Sequence, residues 1–153
     1  MRLADDLKEL VGLFVSLDVE FVVVGAFALG YHKLPRYTGD LDLFVRNSKS
    51  NAERIVSALD EFGFGSLGLT VEDFQAQDLI VQLGVEPNRV DLITQISGVS
   101  FAEAWTAREL GDLDGISVSF LSLDLLSRNK EASGRDKDLV DLKAIRRRLQ
   151  SDT

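Results

Sequence analysis

The sequence predicts an α+β domain, a small mixed β-sheet flanked by helices. Three observations predict it. Apolar residues recur at helical spacing at both ends of the chain. Five short segments alternate, or run apolar, as strands do. Helical and strand-like segments interleave with no repeat, low-complexity tract or linker between them. The 153 residues suit one domain, spanning 1–153, with enough chain to bury a core.

Leu3, Leu7, Leu10, Phe14 and Leu17 fall on one helical face and open the chain with an amphipathic helix. Phe21-Val22-Val23-Val24 reads as a short buried strand. Gly25 ends it, and Ala26 to Leu29 suits a helix start. A loop with Pro35 runs from Lys33 to Gly39, and Asp40 to Val45 reads as a second strand. Ser50 and Glu53 match a capping box, opening a helix with Ile55, Val56, Leu59 and Phe62 inward. Gly63 to Gly68 reads as a loop, and Thr70 caps a short helix. Leu79 to Val85 and Arg89 to Ile93, separated by Pro87-Asn88, form a hairpin. Ser100 and Glu103 form another capping box, with Phe101 and Trp105 on one helix face as core residues. Ile116, Val118 and Phe120 alternate with serines as a half-buried strand. Two helices finish the chain on either side of Ser133-Gly134, the last with Leu139, Leu142, Ile145 and Leu149 inward.

Composition narrows the chemistry. The absence of cysteine excludes disulfides, thiolate metal sites and thiol nucleophiles, and one histidine, His32, excludes a multi-histidine zinc site. His32 itself reads as a loop residue. No apolar run approaches the roughly 20 residues that span a bilayer, and the acidic N-terminus is unlike a secretory signal. A cytoplasmic location is the default expectation, with no membrane partner. A net charge of −8 disfavours nonspecific duplex binding, which recruits cations. Acidic proteins handle nucleotides when metal ions screen the phosphates.

Asp40 and Asp42 carry the most information. Residues two apart on a strand share a face. With Leu41, Leu43 and Val45 in the core, both carboxylates point the other way. Adjacent like charges repel unless a counter-charge neutralises them, and a divalent cation with oxygen ligands does so. In Arg89-Val90-Asp91-Leu92-Ile93, Asp91 takes the polar face of its own strand. If the two strands are neighbours, three carboxylates converge. Such a trio can hold two magnesium ions about 4 Å apart for in-line phosphoryl transfer. The plain alternative is an edge acid paired with Arg89. At the strand-to-helix turn, Gly25 lets an anion approach free backbone N–H groups. Gly25 and Gly30 have P-loop separation, but Tyr31-His32 replace the required Lys-Ser/Thr.

Gly25-Ala26 followed by Arg36-Tyr37-Thr38-Gly39-Asp40-Leu41-Asp42 resembles the nucleotidyltransferase superfamily of the DNA polymerase beta type. More narrowly, the chain resembles the small bacterial minimal nucleotidyltransferases, including toxin-type members of toxin–antitoxin pairs. The tail from Asn129 through Lys130, Ser133-Gly134-Arg135, Lys137-Asp138 and Asp141-Leu142 resembles that subgroup's closing motif. The resemblance spans roughly Phe21 to Leu142 and implies a nucleotidyltransferase fold. It implies that Asp40 and Asp42 bind the metal carrying a nucleoside triphosphate. Asp91 would bind a second metal and help activate the acceptor hydroxyl. Gly25 and the Ala26 N–H would cradle the β- and γ-phosphates. Ala26 departs from the usual Gly-Ser or Gly-Gly and lacks a phosphate-reaching hydroxyl.

Arg36 could contact a phosphate or stabilise the leaving pyrophosphate, with a loop-stiffening ion pair equally open. Lys130 and Lys137 are candidate phosphate contacts. Asp136 and Asp138 suit the first turn of the last helix, and Arg146-Arg147-Arg148 its end. The expected activity is transfer of a nucleoside monophosphate from an NTP to a hydroxyl with release of pyrophosphate. It would use two Mg²⁺ ions (or Mn²⁺), as the toxin of a toxin–antitoxin pair. RNA 3′ ends, protein hydroxyls and small molecules remain open as acceptors, and an antitoxin as a partner. The second reading is a non-catalytic nucleotide- or protein-binding module. A glycosyltransferase, which also uses Asp-x-Asp, would need a longer chain.

Overall fold

A computed structural model describes residues 2–34, 40–85 and 88–151. Its centre is a six-stranded mixed sheet in the order β3-β4-β2-β1-β6-β5. Helix α1 (Asp5–Ser16) buries Leu7, Leu10, Val11 and Phe14, and β1 (Phe21–Val24) is buried throughout. The seven-residue α2 (Gly25–Tyr31) follows without a break. Strand β2 (Asp40–Val45) returns antiparallel beside β1, with Val24 opposite Asp42. Alternation then sorts the residues of β2. Leu41, Leu43 and Val45 are fully buried, whereas Asp40 and Asp42 are only partly so.

The cap of helix α3 (Lys49–Phe62) lies two residues before the expected one. Ser48, not Ser50, accepts the Asn51 N–H at 3.3 Å. The reason is tertiary. Asn51 is buried in the first turn, where its side-chain Oδ1 accepts the Glu20 N–H at 2.7 Å. Its amide donates to the Glu20 and Arg46 carbonyls at 3.0 and 2.8 Å. Starting the helix at Ser50 would forfeit that clamp on the ends of β1 and β2. A 3₁₀ turn (Gly65–Leu67) interrupts the glycine-rich loop, and the Thr70 box with Asp73 starts α4 (Val71–Gln75).

Strands β3 (Ile80–Leu83) and β4 (Arg89–Ile93) form the antiparallel hairpin, and β4 lies parallel to β2. The Ser100–Glu103 box starts α5 (Phe101–Thr106) as read from the sequence. Phe101 stacks on Trp105 with ring centroids 5.8 Å apart, and it meets the buried Phe44 edge-on.

Strand β5 (Glu109–Leu113) is the element absent from the sequence reading. Glu-Leu-Gly-Asp-Leu shows no clean alternation. It becomes an edge strand by pairing with β6 (Ile116–Phe120) and by the smallness of Gly111. A Cβ there would collide with the Tyr31 ring, which stacks on Phe120 at 4.2 Å.

Helices α6 (Leu123–Ser133) and α7 (Asp136–Ser151) close the fold around Gly134. Leu142 and Ile145 face inward as expected, and Leu149 packs partly buried. Leu139 does not: it is 42% exposed, because Asp138 takes the buried position one turn before Leu142. No described helix is long and apolar enough to cross a membrane.

Candidate active site

The parallel pairing of β2 with β4 builds the site. Its register sets Asp40 beside Arg89 and Asp42 beside Asp91. Paired residues of neighbouring strands share a face. All three predicted carboxylates therefore stand on one side of the sheet, although 48 residues of chain lie between Asp42 and Asp91. They line a cleft of about 790 Å³, together with Gly25, Ala26 and Arg89.

The electrostatics are those of crowded like charges. Burial pushes the Asp42 carboxyl up to about 7, with Asp91 and Asp40 adding their repulsion. Arg89 answers part of this charge. Its Nη2 donates to Asp40 Oδ2 at 2.6 Å, and its Nε donates to Asp91 Oδ1 at 3.0 Å. The sequence reading considered an Arg89–Asp91 pair. The reach of Arg89 across to Asp40 was not legible, because it depends on strand register. Among the described residues, no group of three or more His, Cys, Asp or Glu side chains is already arranged to hold a metal ion. Asp40 and Asp91 turn toward the guanidinium instead, and Asp42 lies in hydrogen-bond contact with Asp91.

The donor set nevertheless fits a hard divalent cation. The three side chains offer oxygen atoms alone and share one face, and two of them, Asp40 and Asp91, already bind a cationic group between them. Gly25 completes the fit. It sits at φ +66° at the end of β1, and a Cβ there would collide with Asp42 Oδ2. The α2 backbone thus meets the acids with no side chain between. Gly25→Ala is expected to destabilise the protein by about 2 kcal/mol, from the left-handed backbone and the displaced carboxylate together. A urea titration checks this, and unchanged stability would contradict the close approach.

The two tail lysines differ in their surroundings. Both line the cleft. Lys130 is buried, and its ammonium donates to Asp138 at 3.0 Å and lies 3.3 Å from Asp141. Asp138 is fully buried and also accepts from Ser133 Oγ and from Arg135 Nε. Burial opposes its charge, but the hydrogen bonds from Ser133, Arg135 and Lys130 outweigh that and hold the carboxyl well below its usual range. The dipole reading of Asp138 thus omitted its larger role as the partner that locks α6 to α7. Lys137 is exposed at the mouth of the cleft. Arg36 and the rest of Pro35–Gly39 lie outside the described residues. His32 Nε2 donates to the Leu121 carbonyl at 2.8 Å, a structural contact.

No family profile and no curated protein matches the chain by sequence. By fold it is similar to the crystal structure of a putative nucleotidyltransferase from Thermotoga maritima. The TM-score is 0.54 at 14% identity, over 95% of this chain and 91% of that one. The mixed six-stranded sheet with its flanking helices is a nucleotidyltransferase-like fold.

Proposed function

We propose that the protein is a metal-dependent nucleotidyltransferase that moves a nucleoside monophosphate from an NTP to a hydroxyl acceptor and releases pyrophosphate. The observation that carries this reading is the register of β2 on β4, with Asp42 beside Asp91, Asp40 on the same face and Gly25 against Asp42. The similarity in fold supports it.

In this reading Asp40, Asp42 and Asp91 hold Mg²⁺ (Mn²⁺ would serve). When bound, the metal supplies charge neutralisation at the transferring and leaving phosphates. Gly25 and the Ala26 N–H receive the triphosphate, leaving room that a side chain would fill. Lys137 adds positive charge at the cleft mouth, and Lys130 contributes chiefly by fixing α6 against α7. Gly25 follows β1 and Asp91 lies on β4, with β2 between the two strands. In-line displacement then brings the acceptor hydroxyl in beside Asp91, whose carboxylate orients it and draws on its proton. Positioning and electrostatics account for the catalysis. The toxin role, with an antitoxin as partner, rests on the Asn129–Leu142 motif.

A non-catalytic nucleotide binder is the second reading. Ala26 favours it, as does the absence among described residues of carboxylates preset for a metal. NTP labelled at the α-phosphate separates the two. With Mg²⁺ and pooled RNA, protein and small-molecule acceptors, the label is expected on an acceptor and unlabelled pyrophosphate in solution. NTP binding without label transfer to any pool would select the binder.

A further inference from the structure

Arg89 occupies the place between two acids that a bound cation would claim. Its Nη2 lies 2.6 Å from Asp40 Oδ2 and 3.3 Å from Asp91 Oδ2, and its Nε lies 3.0 Å from Asp91 Oδ1. The fork therefore closes on Asp91 while the same terminal nitrogen reaches the neighbouring strand. A guanidinium is permanently charged and planar, so this bridge persists at any physiological pH. With the fork in place, both Asp91 oxygens and Asp40 Oδ2 are engaged by nitrogen donors.

We propose that Arg89 is a built-in counter-ion that a divalent cation must displace, so that metal and triphosphate bind in a mutually reinforcing way. The inference rests on the metal-site reading above and goes beyond it. Without metal, Arg89 holds two repelling strands together. Metal binding releases the guanidinium into a cleft whose remaining cations favour an anion. Arg89 stays tethered at the start of β4, its side chain 24% exposed on the cleft side, so it can turn from carboxylate to phosphate without moving the strand. An incoming triphosphate gives the freed arginine a new partner. By reciprocity each ligand then raises the affinity for the other.

The test is metal binding, separate from catalysis. Mn²⁺ affinity is measured for the full chain and for Arg89→Gln, alone and with inorganic triphosphate. Removing the competing cation is expected to tighten Mn²⁺ binding about tenfold without triphosphate. The enhancement that triphosphate confers on Mn²⁺ binding should shrink by a similar factor in the variant. Equal or weaker Mn²⁺ binding by Arg89→Gln overturns the exchange and leaves the metal site standing. No Mn²⁺ binding by either protein overturns the metal reading and the exchange with it. A second measurement needs no variant. The Arg89 Nε–H resonance of the wild-type protein is followed during Mg²⁺ titration. A saturable shift that tracks occupancy supports the exchange, and a resonance that stays fixed while Mg²⁺ binds overturns it.

Discussion

Asp42→Asn should abolish nucleotidyl transfer while making the metal-free protein more stable. The carboxyl of Asp42 titrates near 7 in the fold, against an ordinary value of 3.8. Between about pH 4 and 7 the folded protein thus holds a proton that the unfolded chain has released. Stability contributed at this position falls as pH rises through that window and is lowest above it. Asparagine has the same shape, carries no charge and can donate to a neighbouring carboxylate. Urea titrations at pH 8 without metal should show the variant more stable by about 2 kcal/mol, with a flatter dependence between pH 4 and 7. Adding Mg²⁺ should close the gap by stabilising the wild type. Transfer of an α-phosphate label should fall by at least about a thousandfold, as expected when a ligand that neutralises the reacting phosphates is lost. A variant that is less stable than wild type at pH 8, or that still transfers label, would refute the assignment. Acids that serve only the fold do not weaken it.

Asp138→Ala carries the largest expected loss of stability. The carboxylate is fully buried and accepts from Lys130, Ser133 and Arg135. Truncation leaves the buried Lys130 ammonium with Asp141, at 3.3 Å, as a carboxylate partner. Breaking a buried pair from one side costs about 3–5 kcal/mol. The second acid moderates this toward about 3 kcal/mol, or about 10 °C in Tm for a chain of this size. Thermal and urea unfolding measure it. The double variant Lys130→Met, Asp138→Leu should recover part of the loss, because the buried ammonium leaves together with its closer partner, although Asp141, 13% exposed, loses its contact with Lys130. Equal destabilisation by the single and the double variant would show that the cluster acts through packing alone.

The sequence revealed most about the residues whose surroundings are local. The parity of Asp40 and Asp42 against Leu41, Leu43 and Val45 follows from the strand repeat. The break at Gly134 follows from glycine after a helical run, and the Thr70 and Ser100 boxes from spacing of three. What escaped was decided across the chain. Ser48 and Ser50 both offer a hydroxyl, and the clamp of Asn51 on Glu20 and Arg46 selects between them. β5 has little strand character until β6 and Tyr31 give it a place. Leu139 yields the interior to Asp138 because Lys130, from the preceding helix, needs a partner there. At the site, the residue types and the shared face were readable. The bridge from Arg89 to Asp40 was not, since it requires the parallel register of β2 and β4.

That register has a bearing on durability. β2 and β4 are interior strands, flanked by β1 on one side and β3 on the other, and Leu41, Leu43, Val90 and Leu92 anchor them in the core. The three carboxylates ride on interior strands, the kind of backbone whose opening costs approach those of global unfolding. Fraying of helix ends or surface turns leaves their spacing intact, so heat would take the chemistry and the fold away together.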